Sequence, residues 1–303
     1  MKKIYLLALV LTPLLTFSQT EIDGLFMTKN YFCFGTIYQK SSWDQYWEGD
    51  FKRKNLNLGT VSNASLAVMG NYGLGKKLNI LFSVPYVKTE ATAGTLAGQE
   101  GIQDLSLFVK HLTFKKKINR TAYTVYTILG LSTPLSDYIA DYLPLSIGLK
   151  SNTATARLIT DFQKGRFFST FSAAYISRAA VTIERNSYFT TKQYYTNKVS
   201  MPDLISLNYK IGYRTNTLIA EASFDNMVTQ KGGFDITSNN MPFPSNTMNS
   251  LRTGFFTKYS PKQNPKLSIL AGCNYTLNGR NVGQSTNFYG GAFYILNFNK
   301  KQL

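Results

Sequence analysis

The sequence is poor in the residue types that build most catalytic and metal sites. Its 303 residues include one histidine and two cysteines, and charged residues make up 16% of the chain, against about 25% in typical soluble domains. The cysteines, Cys33 and Cys273, lie far apart in sequence, and no P-loop, Cys/His cluster or glycine-rich dinucleotide turn is present. We therefore expect no metal site and no cofactor.

The basic residues of the chain do not form a pattern typical of a nucleic-acid-binding surface. The formal net charge is +17, from 33 Lys and Arg against 16 Asp and Glu, which would ordinarily suggest an acidic partner. However, the basic residues are scattered, and the densest run is only "FKKKIN", residues 114–119. The sequence therefore predicts no nucleic-acid partner.

The first residues resemble a secretory signal. Lys2 and Lys3 precede an apolar run from Ile4 to Phe17, which ends at the small polar Ser18. Such a run is short for a membrane helix and typical of a signal peptide. We predict a signal peptide over residues 1–18, an N-terminal segment over 19–27, and export from the cytoplasm.

Alternation of apolar and polar residues dominates the rest of the chain. In "PKLSILAGCNYTL", residues 265–277, Leu267, Ile269 and Tyr275 share one parity, while Ser268, Asn274 and Thr276 share the other. Because successive side chains of a strand point to opposite faces, each such segment has an apolar and a polar face. About twelve segments of this kind, each of the length of an outer-membrane strand, recur along the chain. Cys273 lies on the apolar parity, where a free thiol acts as a small hydrophobe, so a disulfide is not expected.

The connections between these segments alternate between long and short. Residues 41–55 and 88–101 are long, whereas "GLGKK", "FKKKIN", "QKGR" and "TN" are predicted to be short turns. Transmembrane barrels show this asymmetry, with short periplasmic turns and long extracellular loops, whereas a soluble sandwich or barrel has no reason for it. The sequence therefore predicts an all-β fold: an antiparallel transmembrane β-barrel of about twelve strands over residues 28–303, with its apolar parity facing lipid.

Two motifs carry a family resemblance. "NYGLGKKLNILFSVPYVKT", residues 71–89, followed by "GIQDLSLFVKHL", residues 101–112, resembles the exported β-barrel family named for the meta-pathway of phenol degradation, although Gln103 replaces a glycine of its pattern. "PLSIGLKS", residues 144–151, continues the likeness. The resemblance implies an outer-membrane transporter of small hydrophobic or aromatic compounds in a Gram-negative bacterium.

The polar parity predicts which charges line the lumen. Inward-facing charged side chains set ion selectivity in pores, although the same charges could instead pair across strands and fill the interior. The candidate lumen and selectivity residues are Asp104, Lys110, Arg157, Asp161, Arg178, Lys210, Arg214, Glu221, Asp225, Arg252 and Lys258.

These observations favour a porin-like channel for passive diffusion of small solutes through a charged lumen. Its expected partners are outer-membrane lipid, lipopolysaccharide and a small-molecule solute. One alternative is a plugged or structural barrel without transport. The other is a lipid-acting outer-membrane enzyme, but His111, on the lipid-facing parity, has Thr113 and no serine two residues on, so no catalytic residue is predicted.

Overall fold

A computed structural model describes residues 20–237 and 240–299, so the predicted signal peptide, residues 1–18, lies outside the described residues. Within these ranges no helix is long and apolar enough to cross a membrane. The described chain instead forms long antiparallel strands, and twelve of them build one sheet. They are β1 (Tyr31–Trp43), β2 (Val61–Gly73), β3 (Leu78–Ala91), β4 (Asp104–Ile118), β5 (Thr121–Pro134), β6 (Thr153–Lys164), β7 (Phe167–Arg178), β8 (Leu204–Arg214), β9 (Leu218–Thr229), β10 (Asn249–Tyr259), β11 (Leu267–Arg280) and β12 (Thr286–Asn297).

The sheet closes on itself. Each strand pairs with the strands that precede and follow it in sequence, and β1 pairs with β12 from Tyr31 opposite Asn297 to Ser42 opposite Thr286. Closure leaves no open strand edge, which is the condition for strands to exist in hydrocarbon. The predicted antiparallel barrel is confirmed.

The alternation of each strand separates an outer from an inner surface. On β11, Ile269, Tyr275 and Leu277 are exposed, whereas Ser268 and Leu270 are buried inside the barrel. The two cysteines lie on opposite surfaces of the wall. Cys33 is buried among inward-facing apolar side chains, whereas Cys273 lies opposite the exposed Phe255 and Phe288 of the two neighbouring strands. Both thiols are free.

The connections at the two ends differ in length. At one end, here called the turn end, strands are joined by residues 74–77, 119–120, 165–166, 215–217 and 260–266. At the other, the loop end, residues 44–60, 92–103, 135–152, 179–203 and 230–248 form long connections, and residues 281–285 a shorter one. The long loops carry small strand pairs such as Gln45–Glu48 with Phe51–Lys54, and an apolar cluster that includes Val181, Val199 and Phe243 packs among them.

One turn differs from its prediction. "FKKKIN" was expected to be a turn, but Phe114 to Ile118 belong to β4, and the connection is only Asn119 and Arg120. The pairing of β4 with β5 skips Thr113, which forms a bulge between Leu112 and Phe114. Beyond the bulge, β4 continues to Ile118. Asn119, at φ 53°, supplies the left-handed conformation that the tight turn requires.

The chain before β1 lies inside the barrel. Residues 20–30, here called the N-terminal segment, have no strand or helix of their own. Leu25 packs against the inward-facing Phe168 and Ile219, and Met27 packs against Cys33 and Leu270. The first strand begins at Tyr31, so the segment enters the lumen from the turn end.

Candidate functional site

The centre of the lumen is a network of charges around Asp23. The Lys210 ammonium on β8 lies 2.6 Å from Asp23 Oδ1 and 3.1 Å from Glu221 Oε1 on β9. From β4, Lys110 Nζ donates a hydrogen bond of 2.5 Å to the Asp23 carbonyl oxygen. Because β4 and β8 are four strands apart around the barrel, the two lysines link Asp23 to two separate parts of the wall.

The Asp23 carboxylate is stabilised in its charged form. Burial acts to raise the pKa of Asp23, but the charge and hydrogen bond of Lys210, the charge of Lys110 and the hydrogen bond from the Thr20 N–H outweigh it. The net effect lowers the pKa well below its ordinary value of 3.8. Asp23 is therefore an anion at every pH at which a bacterial envelope functions.

A second ion pair lies directly beside the next residue of the segment. Arg214 donates to both Asp161 oxygens, at 3.1 Å and 3.2 Å, and its guanidinium stacks 3.8 Å above the Phe168 ring. A Cβ at Gly24 would lie 2.1 Å from Asp161 Oδ1. The segment thus passes against this bidentate pair at a point where only a glycine fits.

Apolar side chains anchor the rest of the segment. Phe26 stacks on Tyr126 with ring centroids 6.0 Å apart, while the Tyr126 hydroxyl donates to the Gly24 carbonyl at 3.3 Å. Leu25 and Met27 are 8% and 3% exposed. Full burial of such a side chain is worth about 1.5–3 kcal/mol, so the apolar contacts rival the charged ones in holding the segment.

The N-terminal segment divides the lumen into two cavities. The cavity toward the loop end has a volume of about 570 Å³ and is lined by residues that include Thr20, Asp23, Asp225, Arg252 and Tyr289. The cavity toward the turn end has about 690 Å³ and is lined by residues that include Gly24, Lys29, Lys76, Asn216 and Asn299. Residues of the segment line both cavities, so the segment lies between them.

The structure places the predicted lumen residues in three groups: around the N-terminal segment, at the cavity toward the loop end, and at the loop end of their strands. The buried side chains around the N-terminal segment are Lys110, Arg157, Asp161, Lys210, Arg214, Glu221 and Lys258. Asp225 and Arg252 line the cavity toward the loop end, where Asn208 Nδ2 donates to Asp225 Oδ1 at 2.5 Å. Asp104 and Arg178 lie apart, at the loop end of their strands: Asp104 accepts from the Tyr138 hydroxyl at 2.7 Å, and the Arg178 backbone N–H donates to Asp203 at 2.9 Å.

Several predicted residues are held by other side chains. Arg157 is 7% exposed, and one guanidinium nitrogen donates to Ser172 Oγ at 2.8 Å. Arg214 and Asp161 pair with each other, as described above. Arg252, in contrast, is exposed to the cavity toward the loop end, which leaves its charge available to a passing solute.

Sequence reasoning missed Glu21 and Asp23. Both line the cavity toward the loop end, and the charge of Glu21 acts on the buried Arg157. They lie in a stretch without alternation, so nothing assigned them to the lumen. The available signal was their charge: two acidic residues follow the predicted cleavage site closely in a chain with a large basic excess.

No group of three His, Cys, Asp or Glu side chains that could hold a metal ion occurs in residues 20–237 and 240–299. The only histidine, His111, is exposed on the outer surface of β4. One ring nitrogen lies 3.3 Å from Thr113 Oγ1, which in turn lies 2.9 Å from Thr127 Oγ1. These contacts include neither a carboxylate nor an amide of the kind that orients the histidine of a catalytic triad.

No protein-family model matches the chain, and no curated protein matches it. Among solved structures it is similar to an outer-membrane channel from Pseudomonas putida F1, with a TM-score of 0.70 and 11% identity over 92% of this chain and 100% of that one. Weaker likenesses are to the translocator domain of the autotransporter NalP from Neisseria meningitidis, at TM-score 0.43 and 11% identity over 88% of each chain, and to the TodX monoaromatic hydrocarbon channel deltaS2 mutant, at 0.41 and 10% over 90% and 91%. The first likeness shows that this chain has the fold of an outer-membrane β-barrel channel.

Proposed function

We propose that the protein is a channel in the outer membrane of a Gram-negative bacterium, which passes small solutes by passive diffusion. The observation that carries this proposal is a pair of cavities, of about 570 Å³ and 690 Å³, on either side of the N-terminal segment. Both cavities are lined in part by charged side chains. A barrel built only as a structural element could fill this space with side chains, as small barrels do. The turn end faces the periplasm and the loop end faces outward.

The N-terminal segment acts as the gate of this channel. It is held by ion pairs and by three apolar side chains rather than by strand pairing. Such contacts can be released without disturbing the hydrogen bonds of the wall. Permeation then requires the segment to leave its position, and the closed arrangement is the resting state.

Hydrophobic or aromatic compounds are the proposed substrates. This part of the proposal comes from the resemblance of residues 71–89 and 101–112 to the family named for the meta-pathway of phenol degradation. Phe256 and Tyr289, which line the cavity toward the loop end and stack with centroids 6.4 Å apart, would contact an aromatic solute there.

Single-channel recording of the refolded protein in planar bilayers tests the proposal. We expect brief openings, and we expect small aromatic solutes such as phenol or benzoate to block the current in a concentration-dependent way. Removal of residues 20–29 should produce a steady current. A variant without the segment that still conducts nothing would contradict the channel function.

A plugged barrel without transport is the second candidate. The buried bridge between Asp23 and Lys210, together with Leu25 and Met27, is the observation that favours it. In that case the full-length protein shows no openings over hours, although the truncated variant conducts. For a lipid-acting enzyme, vesicle lipid would be hydrolysed in the same preparation, which the surroundings of His111 do not lead us to expect.

A further inference from the structure

The bulge in β4 changes which of its side chains face outward. Before the bulge, Leu107, Val109 and His111 are exposed on the outer surface. Beyond it, Phe114, Lys116 and Ile118 line a groove on that surface, whereas Lys115 lines the luminal cavity at the turn end. Without the bulge, parity would have placed Lys116 in the lumen. The irregularity therefore puts one lysine on the surface that contacts the membrane.

Aromatic side chains surround this lysine. Lys116 lies opposite Tyr123 on β5, and Tyr123 lies opposite Phe162 on β6. The Tyr123 and Phe162 rings meet edge to face, with centroids 5.1 Å apart. With Phe114, Ile118 and Phe171 they line a groove of about 550 Å³, which is here called the outer groove.

The charge of Lys116 is unbalanced within the groove. No ion pair involving Lys116 occurs in the part of the chain that the structure describes. Asp161 also lines the groove, but its carboxylate is engaged by Arg214 and Thr170 on the luminal side. A cation beside apolar rings and without a protein counter-ion attracts an anion from outside the molecule.

The position of Lys116 along β4 matches the depth of phospholipid headgroups in a membrane. Lys116 lies two residues before the end of β4, so its Cα is within about 7 Å of the strand end. The turns around it carry Lys76, Lys77, Arg120, Arg166, Lys262 and Lys266, and none of these five turns contains Asp or Glu. Lysines at such a boundary extend their ammonium groups toward the headgroup layer. Four of the five turns at this end are therefore basic where phospholipid phosphates lie.

We propose that the outer groove binds an anionic phospholipid. Its phosphate contacts Lys116, with the basic turns as a wider attraction, and one acyl chain lies across Phe114, Tyr123 and Phe162. This proposal rests on the proposed membrane location but not on conduction. A barrel that passes no solute still binds the lipid, and a conducting barrel need not bind it.

The test compares lipid retained by the refolded full-length protein. The protein is incubated in detergent with equal amounts of phosphatidylglycerol and phosphatidylcholine, and bound lipids are counted by native mass spectrometry. Phosphatidylglycerol should be retained preferentially, and Lys116→Gln should reduce its apparent affinity about fivefold, the effect of one basic residue near an anionic surface. Lys116→Arg should keep most of the binding. The matched control is Lys54→Gln, which removes an exposed lysine at the loop end.

Gel migration before and after boiling shows that each variant is folded. Equal retention of the two lipids would overturn the proposal, because the groove would then bind acyl chains without regard to charge. An equal loss in Lys116→Gln and Lys54→Gln would overturn it as well, since net charge and not the groove would then determine binding. Unchanged phosphatidylglycerol binding in Lys116→Gln contradicts it directly.

Discussion

At the scale of single residues, Asp23 is the point at which the N-terminal segment is attached to the barrel wall. Its side chain pairs with Lys210 and its carbonyl accepts from Lys110, so one residue links two strands that are four apart around the barrel. The wall residues of the lumen include more basic than acidic side chains, and Glu21 and Asp23 supply negative charge from the segment. The docked segment thus offsets part of the basic charge of the lumen.

Asp23→Asn should weaken this attachment. The amide keeps the shape of the side chain but leaves Lys210 with Glu221 as its only carboxylate partner among the described residues. Removing one member of a buried pair costs about 3–5 kcal/mol, and water in the two cavities should reduce this to about 1–2 kcal/mol of docking free energy. Single-channel recording should show longer openings. Asp137→Asn, which removes an exposed carboxylate paired with Lys150, is the control and should leave open times unchanged.

The lowered pKa of Asp23 predicts a specific pH dependence. A carboxyl whose pKa is lower in the folded than in the unfolded state stabilises the folded state at any pH above its unfolded-state pKa. This contribution is lost as the pH falls from the unfolded-state pKa through the folded-state pKa. Docking should therefore be constant from pH 8 to pH 5 and weaken only below pH 3.8, the ordinary value. Open times measured against pH check this, with Asp23→Asn as reference. A transition near pH 6 that Asp23→Asn abolishes would contradict the assignment.

We expect the basic lumen to prefer anions, and we assign this preference to Arg252 more than to Arg157. Arg252 is exposed to the cavity toward the loop end, whereas Arg157 is buried and hydrogen-bonded to Ser172. Arg252→Ala should shift the reversal potential across a salt gradient toward cations, because a luminal cation attracts anions within the low-dielectric wall. Arg157→Ala should add a smaller shift. An unchanged reversal potential in the double variant would show that neither residue sets selectivity.

At the scale of elements, the N-terminal segment depends on a close approach that a side chain would prevent. Gly24→Ala places a Cβ where Asp161 Oδ1 is 2.1 Å away, and the paired Asp161 cannot move without losing Arg214. We expect the segment to undock, with a steady current and with protease cleavage inside residues 20–30. Gly75→Ala, in a turn where the nearest atom is 3.9 Å away, is the matched control. Equal protease resistance of the two variants would mean that the segment is not held at this point.

Elements were predictable where the wall imposes alternation, and not elsewhere. In β11, one surface meets hydrocarbon and the other the lumen, so residues 267–277 show the pattern directly. The bulge at Thr113 escapes a prediction that takes residues 114–119 as a turn. Its signal in the sequence is that the apolar Phe114 and Ile118 lie on the parity opposite to that of Leu107 and Val109, because skipping one residue exchanges the two surfaces of a strand. The N-terminal segment is not a strand, and both its charged and its apolar side chains contact the wall, so no alternation marks it. Its position follows from tertiary contacts such as Asp23 with Lys210.

At the scale of the whole molecule, the two ends of the barrel differ in charge. The connections at the turn end carry basic residues and no Asp or Glu, whereas those at the loop end carry nine acidic and eight basic residues, with Asp50, Asp137, Asp141 and Asp235 among the acidic ones. Both described ends of the chain, Thr20 to Asn30 and Phe298 to Asn299, approach the barrel from the turn end. This arrangement gives the molecule a defined direction in a membrane.

Cysteine labelling in whole cells checks that direction. A cysteine at Asn240, in the connection between β9 and β10, should react with a membrane-impermeant maleimide on intact cells. A cysteine at Asn216, in the turn between β8 and β9, should react only after the outer membrane is permeabilised. Cys33→Ser and Cys273→Ser in the background remove the native thiols. The opposite pattern would mean that the turn end faces outward.

The direct covalent connection between the N-terminal segment and β1 makes the blocking group a tethered ligand. Only residues 28–30 separate the buried Met27 from Tyr31, the first residue of the wall. A ligand on so short a tether is present at an effective concentration of about millimolar or more. In a chain that begins at Asn30, a free peptide of residues 20–29 should therefore match the block by the tethered copy only near millimolar concentration, which titration of the current can measure. A solute at micromolar concentration cannot compete with the tethered copy, so it enters at the rate at which the segment leaves by itself.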